Sequence, residues 1–118
     1  MGRVLDGWKR AVEEMNKAEA AKSLMTGWDR VAQFTVEGGG ETNFYLEFKD
    51  GAVTLHEGDH SSPNFTMGAT EEVFYKLLTG ELNAMQAYLS KQYTVKGSMA
   101  DAMKFRQIGE AAAKAAGR

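Results

Sequence analysis

The chain has 118 residues, 43% of them hydrophobic and 25% charged, with a formal net charge of −2 and no cysteine. That size fits one domain, residues 1–118, with a single core; Lys and Arg are scattered, which argues against nucleic acid as a partner. The missing thiols exclude disulfides, thiolate zinc sites and thiol catalysis.

The N-terminal stretch MGRVLDGWKRAVEEMNKAEAAKSLM is too charged for a signal peptide or a membrane span. Asp6 stands where a myristoylation signal carries Ser or Thr, so the expected location is the cytoplasm. Leu5, Trp8, Val12 and Met15 recur at three and four residues, and Ala18, Ala21, Met25 and Trp28 extend the stripe. This predicts one or two helices from about Asp6 to about Met25, ended by Thr26 and Gly27.

The period then falls to two. Ala32, Phe34 and Val36 share one side of a strand, as do Phe44, Leu46 and Phe48 in the next; Val53 and Leu55, then Phe65 and Met67, mark two more. Gly38–Gly40 and Asp50–Gly51 are hairpin signals. The expectation is a four-stranded antiparallel meander with one apolar and one wet face. Thr70 is placed to cap a helix with Glu71 and Glu72 in its first turn and Val73, Phe74, Leu77 and Leu78 as its apolar stripe, and Gly80 ends it. Asn83 and Gln86 form a capping pattern for a short helix at about 84–91, YTVKG is a fifth strand at about 93–97, and Ser98 caps a last helix at about 99–116. Such an order predicts a two-layer α+β fold with every helix on the apolar face of the sheet.

Three strings invite a chemical reading. HEGDH, His56–His60, matches the H-E-x-x-H zinc pattern, but that motif needs a helix to bring both imidazoles together. On a strand, residues four apart lie about 13 Å from each other, so the string is read as a chance match and no metal site is expected. GGGE at Gly38 lies between strands, whereas a phosphate loop runs from strand into helix. None of the serines sits in a nucleophile elbow, so no catalytic residue and no cofactor are assigned.

What remains is apolar. Seven methionines is a high count, and most fall at inward positions. Methionine fills irregular gaps in a core, and it equally lines surfaces that accept variable apolar shapes. Composition leaves both readings open.

The segments NFYLEFKDGAV and NFTMGATEEVFYKLLTGELNAMQAYLSKQYTVKGSMADAMKF resemble the sterol carrier protein type 2 family. The resemblance runs from about Arg30 to Ile108 and is carried by Phe44, Leu46, Gly51, Phe65, Met67, Thr70, Leu77, Gly80, Leu82, Asn83, Ala87, Val95, Gly97, Ala102 and Phe105. Ala84 stands where the family often has proline, and Ser90-Lys91-Gln92-Tyr93 replaces its usual Gly-Lys-aliphatic entry to the last strand.

The resemblance implies a five-stranded, largely antiparallel sheet covered on one face by helices, with an apolar tunnel between the layers and the last helix as its movable cover. It implies non-catalytic binding and carriage of fatty acid, fatty acyl-CoA, phospholipid or a sterol-like molecule. The inner residues would be Phe44, Leu46, Phe48, Leu55, Phe65, Met67, Phe74, Leu77, Leu78, Met85, Tyr88, Leu89, Met99, Met103 and Phe105. Of these, Phe65, Met85, Tyr88, Met99 and Met103 are expected at the wall or mouth. Transient contact with a membrane and a homodimer are compatible with this reading. The alternative is an interaction module of the same fold with a filled core, assisting a lipid-metabolic enzyme. It would use the sheet face of Thr35, Glu37, Tyr45, Glu47, Thr54 and His56, or an edge strand.

Overall fold

The computed structural model describes residues 2–38, 40 and 42–117. The N-terminal helical region is two helices, α1 (Arg3–Lys17) and α2 (Glu19–Met25). Ala18 separates them in an extended conformation, φ −78° and ψ 121°, while its N–H still bonds to the Glu14 carbonyl. The stripe read from the sequence is the buried side: Val12, Met15, Ala18, Ala21, Met25 and Trp28 are all in the core.

Strands β1 (Arg30–Glu37), β2 (Phe44–Lys49), β3 (Ala52–Glu57), β4 (Phe65–Thr70) and β5 (Tyr93–Gly97) form one mixed sheet in the order β3-β2-β1-β4-β5. Asp50 and Gly51 both take positive φ, 56° and 75°, which gives the β2–β3 hairpin its tight turn. The glycine turn before β2 includes residues outside the described set.

The sheet is mostly antiparallel, but the predicted meander stops at β3. β4 pairs parallel to β1, with Ala32 opposite Phe65 and Glu37 opposite Thr70. Parallel pairing requires a crossover rather than a hairpin. Residues 58–64 make that crossing from the β3 edge past β2 and β1, and they cover part of the face expected to be wet. Gln33, expected in solvent, is only 5% exposed. Its Nε2 donates to the carbonyls of Phe44 at 3.1 Å and Gly58 at 3.2 Å and to Asp59 Oδ1 at 3.2 Å, and its Oε1 accepts from the His60 N–H at 2.7 Å. A buried amide is stable there because its polar atoms are satisfied.

Helices α3 (Glu71–Thr79), α4 (Ala84–Leu89) and α5 (Met99–Ala115) complete the second layer. Their caps are the residues expected: Thr70, Asn83 and Ser98 accept from the N–H groups of Val73, Gln86 and Asp101. Gly97, which leads into α5, has φ 95°, and a Cβ there would lie 2.6 Å from the Asn64 carbonyl oxygen, so only glycine fits. The core lies on the sheet face carrying Phe34, Phe44, Leu46 and Phe48. Phe34 and Phe44 stack at 4.8 Å, Trp8 of α1 sits 4.9 Å from Phe34, and Phe105 of α5 meets Phe48 at 5.9 Å.

Candidate functional site

A cavity of about 600 Å³ opens between the helical layer and the β4–β5 end of the sheet. Trp8, Ala11 and Met15 of α1 line it, with Met67 of β4, Phe74, Leu77 and Leu78 of α3, Met85 and Tyr88 of α4, and Tyr93 and Val95 of β5. The α5 wall is Met99, Ala102, Met103, Phe105 and Gly109, continued by Ala112 and Ala113. The space exists because α5 presents small residues there; a Cβ added to Gly109 would meet no atom within 4 Å. The same helix is anchored by Phe105, Ile108 and Ala112, which are buried. Asp101 accepts from Trp28 Nε1 at 3.3 Å and Arg30 Nε at 3.0 Å at its first turn.

The mouth is apolar and open. Leu89 is 70% exposed, Met103 52%, Met85 44%, Met99 43% and Tyr88 37%, which places large apolar surface in water. The charged groups on the wall are Glu14, Arg106 and Glu110, with Arg106 Nη1 3.2 Å from Glu110 Oε2. Tyr93 Oη donates to the Ala84 carbonyl at 3.0 Å. Burial pushes the Tyr93 phenol above its ordinary value of 10.0, while nearby Arg106 pulls the other way. The Trp8 indole N–H is buried without a hydrogen-bond partner among the described residues, and its ring packs against both Phe34 and Phe105. Among the described residues, no Ser, Thr, Cys, His, Asp or Lys lines the cavity.

Among the residues expected inside, Met67, Phe74, Leu77, Leu78, Met85, Tyr88, Met99, Met103 and Phe105 line the cavity. Phe44, Leu46, Phe48 and Phe65 do not: they are sealed in the core. Leu55 packs against that core, and Leu89 is exposed and does not line the cavity. The reason is lateral position in the sheet. β3 packs against α1, whereas the strand residues that line the cavity belong to β4 and β5. Sequence reasoning missed the α1 contribution, whose stripe reports a buried side but not what it faces. It also missed Arg106, Gly109 and Glu110.

The HEGDH string ends β3 and enters the crossover. His56 stacks on Tyr45 at 5.0 Å and His60 meets the same ring at 5.1 Å. His56 Nε2 lies 3.0 Å from Thr54 Oγ1 and 3.3 Å from Glu47 Oε1, while His60 Nδ1 accepts from the Ser62 N–H. Among the described residues no three His, Cys, Asp or Glu side chains gather to hold a metal. No described helix is long and apolar enough to cross a membrane.

A helical layer over a mixed five-stranded sheet, opened by an apolar cavity, makes this a two-layer α+β domain. The SCP-2 sterol transfer family matches residues 9–110, and the chain belongs to it; the family binds and transfers lipids in general. The sterol carrier protein domain 2 of Helicoverpa armigera superposes with a TM-score of 0.74 at 21% identity, over 94% of this chain and 89% of that one. Palmitated SCP2L2 from Aedes aegypti superposes with a TM-score of 0.70 at 16% identity, over 92% and 95%. Hydroxysteroid dehydrogenase-like protein 2 of Xenopus tropicalis is 28% identical over 100 residues, and the chain, matched over 84% of its own length, spans only 23% of that relative.

Proposed function

We propose that this chain is a non-catalytic carrier that holds one lipid tail at a time in the cavity bounded by α1, α3, α4, β5 and α5. Fatty acid, fatty acyl-CoA, phospholipid and sterol-like molecules are its ligand classes. The observation that carries the reading is the cavity itself. Protein interiors leave few voids larger than a water molecule, so about 600 Å³ of apolar-walled space is not a remainder of packing. The volume lies within the roughly 300–1,000 Å³ typical of small-molecule sites.

The energetics suit carriage and release. Burying about fourteen methylenes at about 0.8 kcal/mol each gives roughly 11 kcal/mol gross. Ordering the tail and losing translational freedom offset several kcal/mol, which leaves an affinity near micromolar. Apolar contact is non-directional, and the Met67, Met85, Met99 and Met103 side chains adapt to different shapes, so selectivity among tails is low.

The test is displacement of a fluorescent fatty acid by palmitate, palmitoyl-CoA, lysophosphatidylcholine and cholesterol. Micromolar competition by one or more supports the carrier; a probe that never binds contradicts it. A second reading, an interaction module assisting a lipid-metabolic enzyme, draws support from the Xenopus relative, in which the matched segment is a minor part of a longer chain.

A further inference from the structure

One face of α5 lines the cavity: Met99, Met103, Arg106, Gly109 and Ala113 recur at three and four residues. Arg106 stands in the middle of that face, where the periodicity calls for an apolar side chain. It is the only cation lining the cavity among the described residues. Its side chain is 32% exposed, so most of it lies against the wall rather than in water.

The fold makes little use of this guanidinium. Nη1 lies 3.2 Å from Oε2 of Glu110, one turn on, and the Glu110 side chain is 62% exposed. An ion pair that open to water adds little stability. Nε and Nη2 make no hydrogen bond among the described residues. Space opens beside the side chain at Gly109, three residues on, where an added Cβ would meet no atom within 4 Å.

The wall also limits what that space takes. A guanidinium presents parallel N–H donors that match the two oxygens of a carboxylate. A neutral hydroxyl gains no such charge-assisted pair. Glu14 and Glu110 line the same cavity, so a doubly charged phosphate meets more repulsion there than a singly charged carboxylate does.

We infer that Arg106 binds the carboxylate of a single-chain fatty acid, exchanging Glu110 for it, with the head in the space beside Gly109 and the tail in the apolar remainder of the cavity. This rests on the carrier reading and narrows it: the tail supplies affinity, and Arg106 selects the head. Glu110 turns to water when displaced, at small cost because it is already exposed.

The experiment titrates the full chain with radiolabelled palmitate, hexadecanol and hexadecyl phosphate, which share the length of tail and differ in the head. Wild type, Arg106→Met, Arg106→Lys and Lys104→Met are compared. Wild type is expected to bind palmitate about tenfold more tightly than hexadecanol, and more tightly than hexadecyl phosphate. Arg106→Met erases the preference for palmitate over hexadecanol, and Arg106→Lys keeps part of it, as a point charge without the fork. Lys104→Met removes a cation of α5 that does not line the cavity, and it leaves the ratio unchanged. Hexadecanol binding shows in each variant that the cavity is folded, so the ratio carries the result. Equal wild-type affinity for palmitate and hexadecanol, tightest binding of hexadecyl phosphate, a preference that survives Arg106→Met, or the same loss in Lys104→Met overturns the proposal. In each of those cases hexadecanol binding leaves the carrier reading standing. No binding of any of the three ligands overturns both.

Discussion

The phenol of Tyr93, on the edge strand β5, donates a 3.0 Å hydrogen bond to the carbonyl of Ala84, the first residue of α4. This bond spans the cavity wall. It ties a six-residue helix, too short to be stable alone, to the sheet beneath it. The only fully buried side chain of α4 is Ala87, so few other contacts hold the helix in place.

Tyr93→Phe removes that tie and should cost about 1 kcal/mol of stability by urea titration. Faster amide exchange over 84–89 should accompany it. The pH dependence has a definite sign. Burial raises the Tyr93 phenol above 10.0 in the folded state, so the unfolded chain loses this proton first as pH rises. The contribution is therefore complete below pH 10.0 and is lost as pH climbs through the folded-state value. Between pH 10.0 and the folded-state value, stability should fall more steeply in wild type than in Tyr93→Phe.

Gly109 offers the cleanest separation of stability from binding. It lies mid-helix in α5, on the cavity wall, with nothing within 4 Å of an added Cβ. Gly109→Leu should stabilise the chain by up to about 1 kcal/mol through helix propensity. The same leucine occupies cavity volume and should weaken fatty acid binding about tenfold or more. Thermal unfolding and probe titration read the two effects, which have opposite signs.

Met103 and Phe105 are near neighbours on the α5 wall, one half exposed and one buried. Met103→Arg should change stability by less than about 0.5 kcal/mol while it weakens lipid binding strongly. Phe105→Ala should cost about 3–5 kcal/mol. Equal loss of stability in both would make Met103 an ordinary core residue.

Asn16 of α1 makes two hydrogen bonds to the outer edge of β3: Nδ2 donates to the Val53 carbonyl at 2.8 Å, and Oδ1 accepts from the Val53 N–H at 2.9 Å. The side chain occupies the edge as a neighbouring strand would. Asn16→Leu should cost about 1–3 kcal/mol and leave a template for strand pairing. Light scattering should then show self-association that wild type lacks.

Local signals in the chain were legible wherever one short segment decided the outcome. The caps Thr70, Asn83 and Ser98 and the Asp50–Gly51 turn each depend on a few adjacent residues. The parallel β1–β4 pair was not legible, because no turn residue announces a partner reached by a crossover. Gln33 reads as solvent-facing in an alternating strand, and its partners at 58–60 are fixed only by tertiary structure. Phe65 and Met67 show the same limit at the site. They are two residues apart on one strand, yet one is core and the other wall. Periodicity tells which side is buried, and only the layer above decides whether that side meets side chains or space.

The central claim is that the cavity holds lipid. Native mass spectrometry of gently purified protein, followed by organic extraction and lipid identification, tests it most directly. The account predicts a fatty acid, acyl-CoA, phospholipid or sterol-like molecule at a sizeable fraction of one per chain, reduced by Gly109→Leu. An apo mass that stays unchanged after incubation with oleate and palmitoyl-CoA would contradict it.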